Sequence, residues 1–130
     1  MTSRDGSVGR KVWGALVWAM VAFEVVAIGA AGVAKFAAAD VWNGLFAGWG
    51  YPPGFSYVVG CLEIGGSLTL LVPRLAGYGG VLLLGIMLAA LGTVLLHPGS
   101  MGPVAPLIHI VVLAVVVRVR WRSRAGAAAG

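Results

Sequence analysis

Residues 59–66 read Val59-Gly60-Cys61-Leu62-Glu63-Ile64-Gly65-Gly66, a single carboxylate inside an apolar run that extends from Phe55 to Val72. The run is entered through Trp49-Gly50-Tyr51-Pro52-Pro53-Gly54 and stops at Pro73-Arg74. A second apolar run, Leu75 to Leu96, follows directly and ends at His97-Pro98. An acid at the centre of a segment that crosses a bilayer costs roughly 2.5–3.5 kcal/mol on insertion scales. Some other group must offset that cost at Glu63.

The composition agrees with a lipid environment. Of 130 residues, 60% are hydrophobic and 10% charged, and the mean hydropathy is +0.99. A soluble domain carries about 25% charged residues, so the chain reads as a membrane protein whose first partner is the lipid bilayer. The formal charge of +5 is not a nucleic-acid signal. The basic residues flank apolar runs, where they meet headgroups and set orientation. The single cysteine, Cys61, excludes an internal disulfide and any CxxC motif. No phosphate loop, nucleophile motif or zinc spacing appears. Neither a metal site nor an autonomous catalytic motif is therefore expected.

Outward from the central stretch, the chain divides into four spans in one membrane domain, residues 13–117, with spans at about 13–36, 55–72, 75–96 and 104–117. Residues 1–12, with Arg4, Arg10 and Lys11, read as a flexible cytoplasmic tail. The run from Trp13 to Phe36 exceeds the 20 or so residues that cross a hydrocarbon core. A cleavable signal peptide competes for this stretch, because Ala37-Ala38-Ala39 resembles a small-residue cleavage site. The run is longer than the roughly 7–15 residues of a signal core, and Glu24 interrupts it, which favours a span. Between spans 1 and 2, Asp40 can N-cap a helix. Val41, Trp42, Leu45, Phe46 and Trp49 then share one face. A short helix lying in the interface, or capping the bundle, is expected there. Pro106 suits the first turn of the fourth span. Residues 118–130 form a basic tail with an Ala/Gly end that reads as disordered.

Four spans place both termini and Arg74 on one side. That side holds Arg4, Arg10, Lys11, Arg74, Arg118, Arg120, Arg122 and Arg124, and the other holds Lys35 alone. The positive-inside rule then puts both termini in the cytoplasm, in the cell membrane. Trp13, Tyr78 and Trp121 make an inner aromatic belt, and Trp42, Trp49, Tyr51 and Tyr57 an outer one. Gly29, Gly32, Gly60, Ser67, Gly85, Ala89 and Gly92 are small enough to let helices approach closely. The expected fold is all-α, a left-handed four-helix membrane bundle with a short interfacial helix.

Five ionisable residues fall in or at the rim of the membrane: Glu24, Lys35, Glu63, His97 and His109. Glu24 and Lys35 lie within about 20° of one another on the first span, but about 16 Å apart along it, too far to pair. Lys35 and His97 match Glu63 in depth, so at least one is expected within direct or one-water reach of it. Glu63, Lys35, Trp42, His97 and Glu24 are the candidate ligand-binding residues. The bland alternative is a structural pair or a protonated acid. For His109 that bland reading is preferred, as is the absence of haem, since two histidines near one face arise by chance.

At these residues the sequence resembles the DoxX-like family of small bacterial membrane proteins. The matching pieces are Gly32-Val33-Ala34-Lys35-Phe36, Trp42, Gly50-Tyr51-Pro52, the stretch Phe55 to Gly66, Leu71-Val72-Pro73-Arg74, Met87-Leu88-Ala89-Ala90 and the histidine closing the third span. The likeness covers about residues 25–115. It implies a four-helix membrane bundle and a redox-associated, quinone-linked membrane subunit, with a soluble or membrane oxidoreductase as partner. The expected function is binding of a lipophilic ligand near Glu63, with quinone as the candidate cofactor and homo-oligomers allowed. The alternatives are a non-catalytic scaffold for a soluble oxidoreductase and a proton-coupled transporter of a small solute.

Overall fold

In a bilayer every backbone N–H and C=O must be satisfied within the chain, and an apolar run meets that demand by coiling into a helix. The computed structural model describes residues 2–129, and its regular elements are all helices: α1 (Thr2–Ala37), α2 (Ala39–Gly48), α3 (Phe55–Leu70), α4 (Ala76–Leu96) and α5 (Val104–Ala129). The breaks fall at the expected punctuation. Gly50 (φ 88°) and Gly54 (φ 80°) take left-handed backbone on either side of Pro52-Pro53, and Gly99 (φ 90°) does so between α4 and α5.

Both end helices run farther than the hydropathy pattern alone would carry them. Residues 2–12, expected as a flexible tail, continue α1, with Asp5 in its first turn, where a carboxylate favours the positive end of the helix dipole. The Ala/Gly end, expected as disordered, continues α5 to Ala129, and alanine is the strongest helix former. Asp40 does not cap α2. Ala38 holds the N-cap position without a side-chain bond, and Asp40 sits in the first turn.

The helices form an up-down-up-down bundle. Along α1 and α3, Gly29 faces Ser67 while Phe36 faces Gly60, so the two run antiparallel. Gly66 against Leu83 and Thr69 against Gly79 give the same relation for α3 and α4. Gly80 against Val117 and Gly77 against Trp121 give it for α4 and α5. Glycines set these seams. A Cβ on Gly32 would stand 2.9 Å from the Gly60 carbonyl oxygen, and one on Gly60 3.0 Å from the Gly32 carbonyl oxygen. The α3–α4 seam uses Gly66 and Gly79, which the sequence reading passed over. Gly85 and Gly92, read as packing residues, have open space around them.

The surface departs from that of a water-soluble protein, and a few polar groups are buried beside an apolar core. Glu24, Lys35, Glu63 and Ser67 are buried, while Val26, Val33, Leu68, Leu88, Leu95 and Val111 face outward. An apolar core of Val21, Ile28, Leu70, Leu83, Leu113 and Val116 fills the centre. α1, α4 and α5 are each long and apolar enough to cross a membrane, and α3 is shorter, with 16 residues.

Candidate functional site

Helix geometry brings two distant charges together. A side chain leans toward the N-terminus of its own helix. Lys35, near the end of α1, therefore reaches back into the bundle. Glu63, in antiparallel α3, leans out toward the α2 end. They meet with Lys35 Nζ donating to Glu63 Oε2 at 2.7 Å, both side chains almost wholly buried. The close approach at Gly32 and Gly60 makes the reach short enough. Lys35 Nζ also lies 3.4 Å from the Ala31 carbonyl and 4.2 Å from the centroid of the Trp42 ring. The ammonium thus has an anion, a carbonyl and an aromatic face around it, which offsets the cost of its burial.

The pair lies on the wall of a cavity of about 580 Å³ in the α2 half of the bundle. Phe46, Trp49, Tyr51 and Phe55 roof it together with Trp42. Phe46 lies 5.4 Å from both Trp49 and Tyr51, and Tyr51 stacks on Phe55 at 5.0 Å. The roof is tied down at two points. Thr93 Oγ1 donates to the Ala89 carbonyl and so accepts from the Tyr51 hydroxyl at 2.6 Å. Ser56 donates to Asn43 Oδ1, and Asn43 Nδ2 donates to the Tyr57 hydroxyl at 3.1 Å. The small residues Gly85 and Ala89 of α4 line the cavity. They leave room for an occupant where the sequence reading expected a helix seam.

The structure does not bring His97 into this group. Its Nδ1 donates to the Thr93 carbonyl at 2.9 Å, and the ring lines a separate surface depression with Asp40 and Trp49. His109 takes a place on the cavity wall instead. It bonds through Nδ1 to Glu24 Oε2 at 2.9 Å, and its ring stacks on Phe23 at 5.5 Å. Glu24 therefore has a partner that lies 85 positions away in sequence. The spacing His109, Leu113, Val116, Arg120 marks one face of α5 within an arc of about 60°, and that stripe is the signal that could have turned His109 inward. No group of three or more His, Cys, Asp or Glu side chains suited to a metal occurs among the described residues.

At the opposite end of the bundle, Arg120 lies 4.8 Å from the Trp18 ring and Arg124 4.6 Å from Tyr78. Tyr78 in turn meets Trp121 edge-on at 5.6 Å. These contacts build an aromatic and basic layer there, with Trp18 as a member the sequence reading had not included.

Among known families, the model described as the DoxX-like family matches residues 19–118. That stretch contains the cavity residues named above. No curated protein and no solved structure matches the chain.

Proposed function

The chain belongs to the DoxX-like family, and from that premise we propose that this small multi-pass membrane protein binds a lipophilic ligand beside Glu63 and serves a redox complex as its quinone-linked membrane subunit. One observation carries the reading. A buried Lys35–Glu63 pair lies on the wall of an apolar, aromatic-roofed cavity of about 580 Å³. A purely structural ion pair needs no such space beside it, and buried pairs are seldom more stable than apolar packing of the same volume.

A quinone headgroup suits these residues. Trp42 and Phe46 offer flat apolar faces, the Lys35 ammonium offers a donor, and Glu63 Oε2 is already held by Lys35. When bound, a quinone supplies carbonyls that take up protons as electrons arrive. The protein's part is to hold a proton at the Lys35–Glu63 pair, to orient the ring against Trp42 and to keep bulk water out with the Phe46–Tyr51–Phe55 roof.

A second reading has one observation in its favour. α5 continues past the core to Ala129 and carries exposed Arg118, Arg122 and Arg124, a surface that suits a scaffold recruiting a soluble oxidoreductase. For a proton-coupled transporter the core is less suited. Val17, Val21, Leu113 and Val116 fill the interior below Glu24, which favours a ligand site entered from one end.

The test is extraction of the protein from native membranes in mild detergent, followed by quantification of co-purifying quinone. The wild type should carry quinone well above an unrelated membrane protein of similar size, and Glu63→Gln should carry only that background. Background in both would overturn the ligand reading in favour of the scaffold, and equal amounts above background would overturn the placement of the ligand at Glu63.

A further inference from the structure

Glu24 and His109 form a second polar pair, deeper in the bundle than Lys35 and Glu63. Glu24 is fully buried. Its Oε2 bonds His109 Nδ1, and its Oε1 has no hydrogen-bond partner among the described residues. The His109 ring is fixed in plane by stacking on Phe23, with 16° between the rings. Nδ1 is occupied by Glu24, one ring face is occupied by Phe23, and the residue lines the cavity. Nε2 is the polar atom that remains.

The chemistry of the pair settles what Nε2 offers. Inside a membrane an uncompensated charge is costly, so the pair as a whole is electrically neutral. Two arrangements meet that condition without stranding a polar hydrogen: carboxylate with imidazolium, or carboxylic acid protonated on Oε2 with imidazole; an acid protonated on Oε1 would leave its O–H unpaired, since Oε1 has no partner among the described residues. In the second, the acid O–H donates to Nδ1 and the ring proton sits on Nε2. In both arrangements Nε2 carries a hydrogen. His109 is therefore a donor facing the cavity.

The spacing then limits the ligand. Lys35 Nζ lies near the Ala31 carbonyl, one turn below its own Cα. From Ala31 to Glu24 is seven residues, about 10 Å along the axis. Ala27, Ile28 and Ala31 line the cavity over that interval, so the wall between the two pairs is apolar. A ligand that bridges the two pairs therefore needs a polar atom at each end and an apolar skeleton between them, with a hydrogen bond of about 2.9 Å at each end. Two oxygens on opposite sides of one six-membered ring meet that requirement.

We propose that His109, set by Glu24 and Phe23, is the second anchor of the cavity, and that the ligand is a single-ring molecule with oxygens at opposite ends, one held at Lys35–Glu63 and the other by His109 Nε2–H. The inference rests on the cavity being a ligand site and adds which chemistry enters it. His109 acts here as a binding residue, and Glu24 acts through it by fixing the ring's tautomer and orientation.

The experiment compares two probes on the intact protein in detergent: a decyl-substituted para-benzoquinone, with two opposed oxygens, and a decylphenol, with one. Binding is read from saturable quenching of tryptophan emission, since Trp42 and Trp49 line the cavity. The wild type should bind the benzoquinone about tenfold more tightly, the worth of one added hydrogen bond. His109→Phe should abolish that preference, bringing the benzoquinone down to the affinity of the phenol. His109→Gln, which returns an N–H donor near the position of Nε2, should restore part of it. Glu63→Gln should weaken both probes together. Equal affinity for the two probes in the wild type, a comparison that needs no variant to fold, overturns the second anchor and leaves the cavity reading standing. So does an undiminished preference in His109→Phe. Saturable binding of neither probe overturns both.

Discussion

Gly32 and Gly60 face one another across the α1–α3 seam so closely that each would place a Cβ within about 3 Å of the other's carbonyl oxygen, at 2.9 and 3.0 Å. This contact brings Lys35 within 2.7 Å of Glu63. The site therefore depends on two residues with no chemistry of their own. Membrane helices lack a hydrophobic drive to associate, and close backbone approach is what binds them. Here the same approach also positions the charges.

Gly32→Ala should accordingly cost about 1–3 kcal/mol through overpacking, because the new methyl meets Ile64 Cγ1 at 2.8 Å as well as the Gly60 carbonyl. Gly79→Ala should be at least as damaging, since its Cβ collides with Thr69 Oγ1 and lies 3.0 Å from the Gly66 carbonyl. Gly92→Ala, with nothing within 4 Å, should be neutral to within about 0.5 kcal/mol. Unfolding by titration with a denaturing detergent ranks the three. A Gly32→Ala protein as stable as Gly92→Ala would refute the tight seam.

Removing one member of the buried pair leaves the other uncompensated. Lys35→Met should destabilise the protein by about 3–5 kcal/mol. The double variant Lys35→Met with Glu63→Gln should recover much of that loss, because no lone charge remains. Thermal unfolding of the two singles and the double gives the coupling directly. Additive losses in the double would mean that the two groups do not interact.

Trp42 covers the Lys35 ammonium at 4.2 Å. Trp42→Leu should remove a cation–π contact worth about 0.5–2 kcal/mol and lower the midpoint of unfolding accordingly. Trp42 and Trp49 also form part of the cavity roof, so an aqueous quencher should reach them less readily than Trp13, which is exposed near the start of α1. Equal quenching of single-tryptophan variants at 13, 42 and 49 would contradict the roof.

The ends of α3 should lie on opposite membrane faces. In a Cys61→Ser background, a cysteine replacing Gly48 should react with an impermeant maleimide on intact cells. One replacing Arg74 should react only after permeabilisation. α3 has 16 residues, about 24 Å, so this measurement checks the shortest span. Labelling of both from the same face would reduce α3 to a re-entrant element and put the two termini on opposite faces.

The sequence by itself determined the apolar helices and the breaks between them, though not how far α1 and α5 continue into the polar ends. Apolar length and the Pro/Gly breaks at 50–54, 73 and 98–103 mark where helices stop, because proline cannot donate and glycine alone takes left-handed backbone freely. Helical periodicity also showed that Glu24 and Lys35 share a face and cannot pair with each other. What periodicity cannot supply is the register between helices, which depends on where two backbones can approach. Shifting α1 against α3 by one turn, about 5.4 Å, would leave every local pattern intact and separate Lys35 from Glu63. Tertiary packing at Gly32–Gly60 decided that Glu63 takes Lys35 and not His97. Rotation of α5 decided that His109, alone in its sequence neighbourhood, turns inward to Glu24. An ion pair is strong only within a few ångströms, so partner identity in a low-dielectric core follows from side-chain position to that precision, and only the folded bundle provides it.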